Sequence, residues 1–321
     1  MLGCGYWGKN LVRNFRELGS LRLVCDVSDR GCALAAELAP DVDVSNRFED
    51  AFRREDVDAL VLATPAETHM DLALKALEAG KDVYVEKPMA LTVEEGEKMQ
   101  EAADSQGRIL MVGHILEYHP AVIKLRALIE SGVLGETRYI FSNRLNFGKI
   151  RSEENALWSF APHDIAVILR LFGEMPTEVT CVGGSYVKTN LADVTVSCLR
   201  FGSGRRGHVF VSWLNPFKEQ KLVVVGERKM AVFNDVSQDQ KLVLYNQRVD
   251  VEEGLPVLHK GDAEPVEIES REPLREECAH FLECVASRRT PLTDGRSGIA
   301  VLSVLEACQK SLGLDGTPVA L

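Results

Sequence analysis

The chain has 321 residues, a hydrophobic content of 45% and a formal net charge of −11, a length that predicts about two domains. The negative charge argues against non-specific binding to nucleic acid or to anionic membranes. No apolar run approaches the roughly 18 residues of a membrane span, and no signal peptide precedes the first motif. The eight cysteines contain no CxxC pair, which favours buried thiols in a cytoplasmic protein and gives no metal site.

A glycine-rich motif stands at the amino terminus, where GCGYWG matches the pattern G-x-G-x-x-G. Residues 10–18 follow with apolar side chains at helical spacing, and residues 21–25 read as a strand. Such glycines let a dinucleotide pyrophosphate approach the amino end of a helix. The motif therefore predicts a dinucleotide site, and its residues are Gly3, Gly5, Tyr6, Trp7 and Gly8.

Asp26 follows the strand at residues 21–25. A carboxylate there accepts hydrogen bonds from the adenosine ribose and repels a 2′-phosphate, so the sequence predicts NAD rather than NADP. Arg30, four residues later, could soften that preference.

Only Met1 and Leu2 precede Gly3, although the first strand of a doubly wound sheet is central and buried. We expect a natural chain with more apolar residues in front of Met1, and a higher melting temperature when such a segment is restored.

Strands and helices alternate through the first third of the chain. This is the βαβ pattern of a Rossmann-type, doubly wound parallel sheet. The predicted helices are residues 32–38, 48–52, 69–79 and 93–106. The predicted strands are residues 57–63, 83–85 and 109–112.

The segment DVYVEKP ends one of these strands with Glu86, Lys87 and Pro88. Proline pushes the preceding residue out of the helical region, so Lys87 should be extended at a carboxyl strand end, where open α/β sheets place ligands. On position alone, a solvated edge lysine is the better interpretation.

Five features occur together in this chain: GxGxxG, the acid at residue 26, the TPxxxH turn, AGKDVYVEKP and VGH. This combination resembles the Gfo/Idh/MocA oxidoreductase family. The resemblance implies an NAD-binding domain over residues 1–115. It also implies a mostly antiparallel α+β domain over residues 116–321, which carries substrate and oligomer contacts. We expect the last helices to pack against one or both domains. The resemblance assigns further cofactor contacts to Thr64, Pro65, His69, Glu86 and Lys87.

The second half of the chain contains short alternating runs typical of antiparallel strands. Residues 154–173 read as a loop followed by a helix from about residue 162. Residues 249–270, rich in Glu, Asp, Gly and Pro, are interpreted as an exposed connector, and residues 273–288 and 297–312 as helices. The predicted strands are residues 136–143, 194–201, 207–214, 221–226, 230–234 and 241–245.

The segment APHDI resembles the catalytic segment of the family, in which the histidine is the general acid/base; here it is His163. Its ordinary pKa near 6.5 suits proton transfer at neutral pH. Many relatives carry an aspartate where this chain has Ser159, and HDID where it has HDIA. Asp164 is therefore the remaining acid that would tune His163.

Residues expected to contact substrate lie near the domain border and along the following segment. Arginine and lysine suit a diphosphate or carboxylate, and aromatic rings stack on a sugar or base. The candidates are Glu117, Tyr118, His119, Arg144, Lys149, Arg151, Asn155, Trp158 and Asp164.

Two longer segments, VSWLNPFKEQKLVVVGERKMAVFND and EPLREECAHFLECV, resemble the nucleotide-sugar 3-dehydrogenases of this family. The resemblance implies NAD-dependent oxidation of the 3-hydroxyl of UDP-N-acetylglucosamine or its uronic acid, in a homo-oligomer formed through the C-terminal sheet. A free cyclitol or sugar is an alternative substrate. With the glycine motif upstream and His163 downstream, Lys87 is predicted to be catalytic: it bridges nicotinamide and substrate and stabilises negative charge on the reacting oxygen. A non-catalytic NAD-binding sensor or partner protein is a further alternative, but it would need neither Lys87 nor His163.

Overall fold

The computed structural model describes residues 1–148 and 150–321, so the prediction for Lys149 lies outside the described residues. The chain divides into two compact units. Unit 1 comprises Met1–Tyr118 and Arg271–Leu302, and unit 2 comprises His119–Ser270 and Ser303–Leu321. Among the described residues, no helix is both long and apolar enough to cross a membrane.

The α-helices of the described chain, in order, are α1 Gly8–Glu17, α2 Asp29–Leu38, α3 Glu49–Arg53, α4 His69–Glu78, α5 Val93–Ser105, α6 Pro120–Glu130, α7 Ala156–Phe172, α8 Pro273–Ser287 and α9 Gly295–Gly313. The strands are β1 Leu23–Cys25, β2 Asp43–Ser45, β3 Ala59–Leu62, β4 Asp82–Glu86, β5 Leu110–Gly113, β6 Thr137–Phe147, β7 Pro176–Gly184, β8 Val194–Phe201, β9 Arg206–Ser212, β10 Leu214–Gly226, β11 Met230–Asn234, β12 Leu242–Glu252, β13 Leu255–Pro265 and β14 Val319–Ala320.

Unit 1 contains parallel strand pairs, as the βαβ pattern predicts. β1 pairs with β2, and β3, β4 and β5 form a second parallel set. The fully buried Leu2 connects the two sets through parallel bridges to Cys25 and Leu62. The spatial order is therefore β2–β1–Leu2–β3–β4–β5, and the strand ends that carry the predicted cofactor residues share one edge.

An aromatic cluster fixes β4 in the core of unit 1. Tyr84 on β4 meets Phe15 of α1 and Phe281 of α8 edge-on, with ring centroids 6.4 and 5.7 Å apart. Each of these side chains is almost fully buried, and such burial contributes roughly 1.5–3 kcal/mol per side chain. β4 is thereby anchored just before Glu86 and Lys87.

Unit 2 is built on a nine-stranded sheet in the order β13–β12–β11–β10–β6–β9–β8–β7–β14. The β6–β9 pair is parallel, and the other neighbouring pairs are antiparallel. α7, which carries His163, packs against β6, β8 and β9. The predicted mostly antiparallel sheet is confirmed.

Several elements differ from the sequence prediction. α7 begins at Ala156 rather than near residue 162, because the Asn155 side chain caps it by accepting a 3.1 Å hydrogen bond from the Trp158 N–H. The predicted connector at residues 249–270 is wrong, since β12 and β13 form a long hairpin there. Glu253 and Gly254 turn it with φ values of +49° and +82°. Its mostly exposed side chains leave no hydrophobic alternation to read. The short β2 and the strand β7 were not predicted.

Candidate active site

The glycine motif forms a loop in which Gly3 and Gly8 pack against backbone atoms and Gly5 faces open space. Gly3 has φ +90°, and a β-carbon there would lie 2.6 Å from the Ala63 carbonyl oxygen. A β-carbon on Gly8 would lie 2.4 Å from the Gly3 carbonyl oxygen, whereas one on Gly5 would meet nothing within 4 Å. The open side at Gly5, just before the amino end of α1, fits the close approach of a dinucleotide pyrophosphate.

Asp26 is held in one orientation at the end of β1. Its Oδ2 accepts a 2.7 Å hydrogen bond from the Cys4 N–H, and its Oδ1 accepts bonds of 2.9 and 2.7 Å from the N–H and hydroxyl of Ser28. Partial burial acts to raise the pKa of Asp26, but these bonds together outweigh it and lower the pKa. The side chain is an oriented carboxylate, as recognition of ribose hydroxyls requires.

Glu86, the last residue of β4, is tied to the glycine loop. Its Oε1 accepts hydrogen bonds from the Trp7 indole N–H at 2.7 Å and from the Tyr84 hydroxyl at 3.2 Å. Burial raises the pKa of Glu86 to about 7, against the opposing effect of these donors and of Lys87. The charge of Glu86 therefore changes near neutral pH.

Lys87 follows β4 directly and precedes a cis peptide bond to Pro88. Burial, and then the positive charge of Lys87, lower the pKa of His114 to about 4, so this neighbouring imidazole is neutral at pH 7. His69 joins the turn after β3 to the turn after β4. Its Nδ1 lies 3.0 Å from the Pro88 carbonyl oxygen, and its Nε2 lies 3.0 Å from the Thr64 carbonyl oxygen. His69 is buried between these turns and holds them together.

In unit 2, His163 lies on α7 and is half-buried. The adjacent Asp164 forms a buried ion pair with Arg144, with Nε–Oδ2 and Nη2–Oδ1 distances of 2.7 and 3.2 Å, and also accepts a 2.5 Å bond from Ser142. These contacts hold α7 on β6. Arg144 and Asp164 are thus engaged with each other, and the substrate contact and the tuning of His163 stay predictions.

Other predicted substrate residues are also engaged internally. Gln309 of α9 accepts hydrogen bonds from the Asn155 amide at 2.8 Å and from the Trp158 indole at 3.1 Å. Arg151 forms an ion pair of 3.0 Å with Glu154.

The three residues at the end of the first segment are buried. Glu117 and Tyr118 belong to unit 1, where the Tyr118 hydroxyl lies 3.2 Å from the Thr293 hydroxyl. His119 belongs to unit 2, where it lies 3.5 Å from the Asp235 carboxylate and packs against the Phe233 ring at a tilt of 50°. None of the three presents an exposed side chain to a substrate.

The sequence interpretation missed Gly31 and Glu277. A β-carbon on Gly31 would fall 2.0 Å from the Asp26 carboxyl carbon, so this glycine leaves room for Asp26. Glu277 is fully buried on α8. Its spacing from Leu274 and Phe281 places a carboxyl on the apolar face of a predicted helix, which was a readable signal.

Within the part of the chain that the structure describes, no three His, Cys, Asp or Glu side chains are grouped to hold a metal ion. All eight cysteines are free.

Two family models match the chain. The NAD-binding Rossmann fold of the Gfo/Idh/MocA oxidoreductase family matches residues 1–114, and the C-terminal domain of that family matches residues 122–232. The 2,7-anhydro-N-acetylneuraminate hydratase of Mediterraneibacter gnavus is 32% identical over 195 residues, which are 58% of this chain and 52% of the relative.

Two further relatives match over nearly their whole length. The UDP-N-acetylglucosamine 3-dehydrogenase of Acidithiobacillus ferrooxidans is 28% identical over 94% of this chain and 93% of its own. Its solved structure superposes with a TM-score of 0.85 at 25% identity, covering 98% and 96% of the two chains. The scyllo-inositol 2-dehydrogenase (NAD(+)) of Bacillus subtilis is 26% identical over 100% of this chain and 95% of its own. The chain therefore belongs to the Gfo/Idh/MocA oxidoreductase family.

Proposed function

We propose that this oxidoreductase uses NAD to oxidise a secondary hydroxyl of a nucleotide sugar to a ketone, at the 3-hydroxyl of UDP-N-acetylglucosamine or of its uronic acid. The observation that carries the proposal is the likeness to a UDP-N-acetylglucosamine 3-dehydrogenase, which spans 94% of this chain and extends to the fold. Full-length similarity is stronger support than the glycine motif, which many dinucleotide enzymes share.

The residues of unit 1 fit the cofactor role. The open side of the loop at Gly5 admits the pyrophosphate, and the oriented Asp26 carboxylate accepts the ribose hydroxyls. A carboxylate there repels a 2′-phosphate, which favours NAD over NADP. Bound NAD supplies the acceptor for a hydride.

The proton chemistry falls to two side chains of this chain. His163 takes the hydroxyl proton as the hydride leaves the same carbon, because its imidazole titrates near neutral pH when unperturbed. Lys87 donates a hydrogen bond to the same oxygen and stabilises the negative charge that develops there. His114 is a weaker base, because burial and then the charge of Lys87 lower its pKa to about 4.

A free cyclitol is a second candidate substrate. The likeness to a scyllo-inositol 2-dehydrogenase spans the whole of this chain, and the chemistry at the reacting carbon is the same. The two substrates differ in the diphosphate, which requires cationic side chains. Arg144 is committed to Asp164, so in this proposal other cations bind the diphosphate.

We also propose a homo-oligomer formed through the nine-stranded sheet. Several large apolar side chains on this sheet and its connections are exposed, among them Tyr139, Val182, Val196 and Phe217. Exposed apolar patches of this kind mark association surfaces. Sedimentation of the purified protein would give a monomer if the proposal were wrong.

The function is tested by mixing the purified protein with NAD and each of UDP-N-acetylglucosamine, its uronic acid, scyllo-inositol and myo-inositol, and following nicotinamide absorbance. We expect NAD reduction with one of the UDP-sugars. Reduction with an inositol alone would select the second candidate. If no UDP-sugar led to reduction of NAD, the assignment of a nucleotide-sugar substrate would be wrong.

A further inference from the structure

A carboxyl group without an evident task lies in the core of unit 1. Glu277 is fully buried on α8, next to Leu274, Cys278 and Phe281 of the same apolar face. Neither of its carboxyl oxygens has a hydrogen-bond partner at normal distance among the residues that the structure describes. Burying such a group costs free energy unless it is paired, so its presence requires a reason.

The polar neighbours of Glu277 connect it to the cofactor loop. They are Glu86, the Tyr84 hydroxyl and Glu117. The Tyr84 hydroxyl donates to Oε1 of Glu86 at 3.2 Å, and the same oxygen accepts the Trp7 indole N–H at 2.7 Å. Glu277, Tyr84, Glu86 and Trp7 thus form a series that runs from α8 to the glycine motif.

The protonation states follow from the surroundings. Burial raises the pKa of Glu277 well above its usual range, the nearby Glu86 and Glu117 carboxylates raise it further, and the Tyr84 hydroxyl opposes them without cancelling the increase. The groups that face Glu86 are Glu277 together with the donors Trp7, Tyr84 and Lys87. When one buried carboxyl of such a pair ionises, the other keeps its proton, and here Glu86 has the donors. A protonated carboxyl is a hydrogen-bond donor.

We propose that Glu277 is a positioning residue: its protonated carboxyl keeps the Tyr84 hydroxyl directed at Glu86, and Glu86 in turn fixes Trp7 and the glycine loop for NAD. This inference rests on the NAD site of the proposed function. Glu277 touches neither cofactor nor substrate in this account, and it acts through Tyr84 and Glu86.

The test compares Glu277→Leu with Glu277→Gln by the dissociation constant of NAD between pH 5 and 9, and by melting temperature. Leucine keeps the volume and removes the polar group. We expect Glu277→Leu to melt at the same or a higher temperature than the wild type, because a buried unpaired carboxyl is lost. It should nevertheless bind NAD about five- to tenfold more weakly, which is the size of one hydrogen bond.

The pH profile separates positioning from packing. NAD binding should strengthen as Glu86 ionises near pH 7, and its midpoint should move to higher pH in Glu277→Leu, because Tyr84 then stabilises the Glu86 carboxylate less well. Glutamine donates an N–H to Tyr84, so Glu277→Gln should restore affinity to within about twofold of the wild type. Glu283→Leu, which changes an exposed carboxylate on the same helix, is the matched control and should bind NAD normally.

Tyr84→Phe removes the intermediate link and should weaken NAD binding as Glu277→Leu does, with no further loss in the double variant. If Glu277→Leu does not fold, Tyr84→Phe and Glu277→Gln decide the matter. The inference would be overturned if Tyr84→Phe, or a folded Glu277→Leu, bound NAD with wild-type affinity and with the wild-type pH midpoint. It would also be overturned if Glu277→Gln bound NAD no more tightly than Glu277→Leu. Failure of the wild type to bind NAD would instead contradict the proposed function.

Discussion

The cofactor residues of unit 1 and the expected substrate residues of unit 2 differ in what their polar atoms do. In unit 1, Gly5 opens to free space and Asp26 is an oriented carboxylate at a strand end. In unit 2, Arg144 and Asp164 bind each other, and Asn155 and Trp158 both bind Gln309. Gly5 and Asp26 fit a dinucleotide, whereas the polar groups of Arg144, Asp164, Asn155 and Trp158 are bound to other groups of the chain.

The difference has a physical cause. A dinucleotide site is made by backbone geometry that requires glycines and strand ends at fixed spacings, and these are visible in a sequence. A substrate site is made by charged and aromatic side chains, which are equally useful for holding a helix on a sheet. Only tertiary contacts separate the two uses.

Breaking the Arg144–Asp164 pair should have the largest effect. Arg144→Leu leaves a buried carboxylate without its partner, so the free energy of unfolding in urea should fall by about 3–5 kcal/mol. The double variant Arg144→Leu, Asp164→Leu should recover much of that loss. If Arg144→Leu had normal stability but poor affinity for the substrate, Arg144 would be a substrate-binding residue.

Replacing Glu86 should change how stability depends on pH. Its folded pKa is raised from 4.5 to about 7, so the folded state holds the proton more tightly than the unfolded state. The contribution of Glu86 to wild-type stability should therefore fall as pH rises from 4.5 to 7 and then stay constant. Glu86→Gln removes this dependence, and its advantage over the wild type should grow across the same window by on the order of 3 kcal/mol.

Urea unfolding at several pH values measures this difference. Glu101→Gln, which changes an exposed residue of α5, should show the wild-type pH dependence. An unchanged profile in Glu86→Gln would mean that the buried carboxyl does not titrate near neutrality.

Replacing His163 tests the proposed catalytic role of this residue. His163→Asn keeps a polar side chain but cannot take a proton, so kcat should fall about a hundredfold, equivalent to about 2.7 kcal/mol, while the dissociation constant of NAD stays unchanged. Near-normal turnover would make His163 structural.

The smallest expected effect concerns Gly31. The methyl group of Gly31→Ala would displace the Asp26 carboxylate, so the dissociation constant of NAD should rise about tenfold with kcat little changed. Gly313→Ala is the matched control, because a β-carbon there meets nothing within 4 Å. Equal NAD affinity in the two variants would show that the orientation of Asp26 does not limit binding.

The sequence predicted most of the elements in which apolar residues recur with the period of a helix or a strand. Apart from β2, the order of strands and helices in unit 1 and strands such as β8 and β11 followed from apolar spacing. The prediction failed for the β12–β13 hairpin, because two largely exposed strands carry no such pattern, and for the start of α7, because Asn155 was read as a ligand contact instead of a helix cap. The spacing of Glu277 marks a carboxyl on the apolar face of a helix, but only the fold shows that its neighbours are Glu86 and Tyr84.

Isotopic labelling tests whether a hydride leaves carbon 3 of the sugar. UDP-N-acetylglucosamine and its uronic acid, each carrying deuterium at carbon 3, would be incubated with the protein and NAD, and the nicotinamide product analysed by mass spectrometry. We expect deuterium from one of the two sugars to appear in the reduced nicotinamide, and turnover of that labelled sugar to be slower than turnover of the unlabelled sugar. Reduced nicotinamide without deuterium, or no reduction with either sugar, would contradict this expectation.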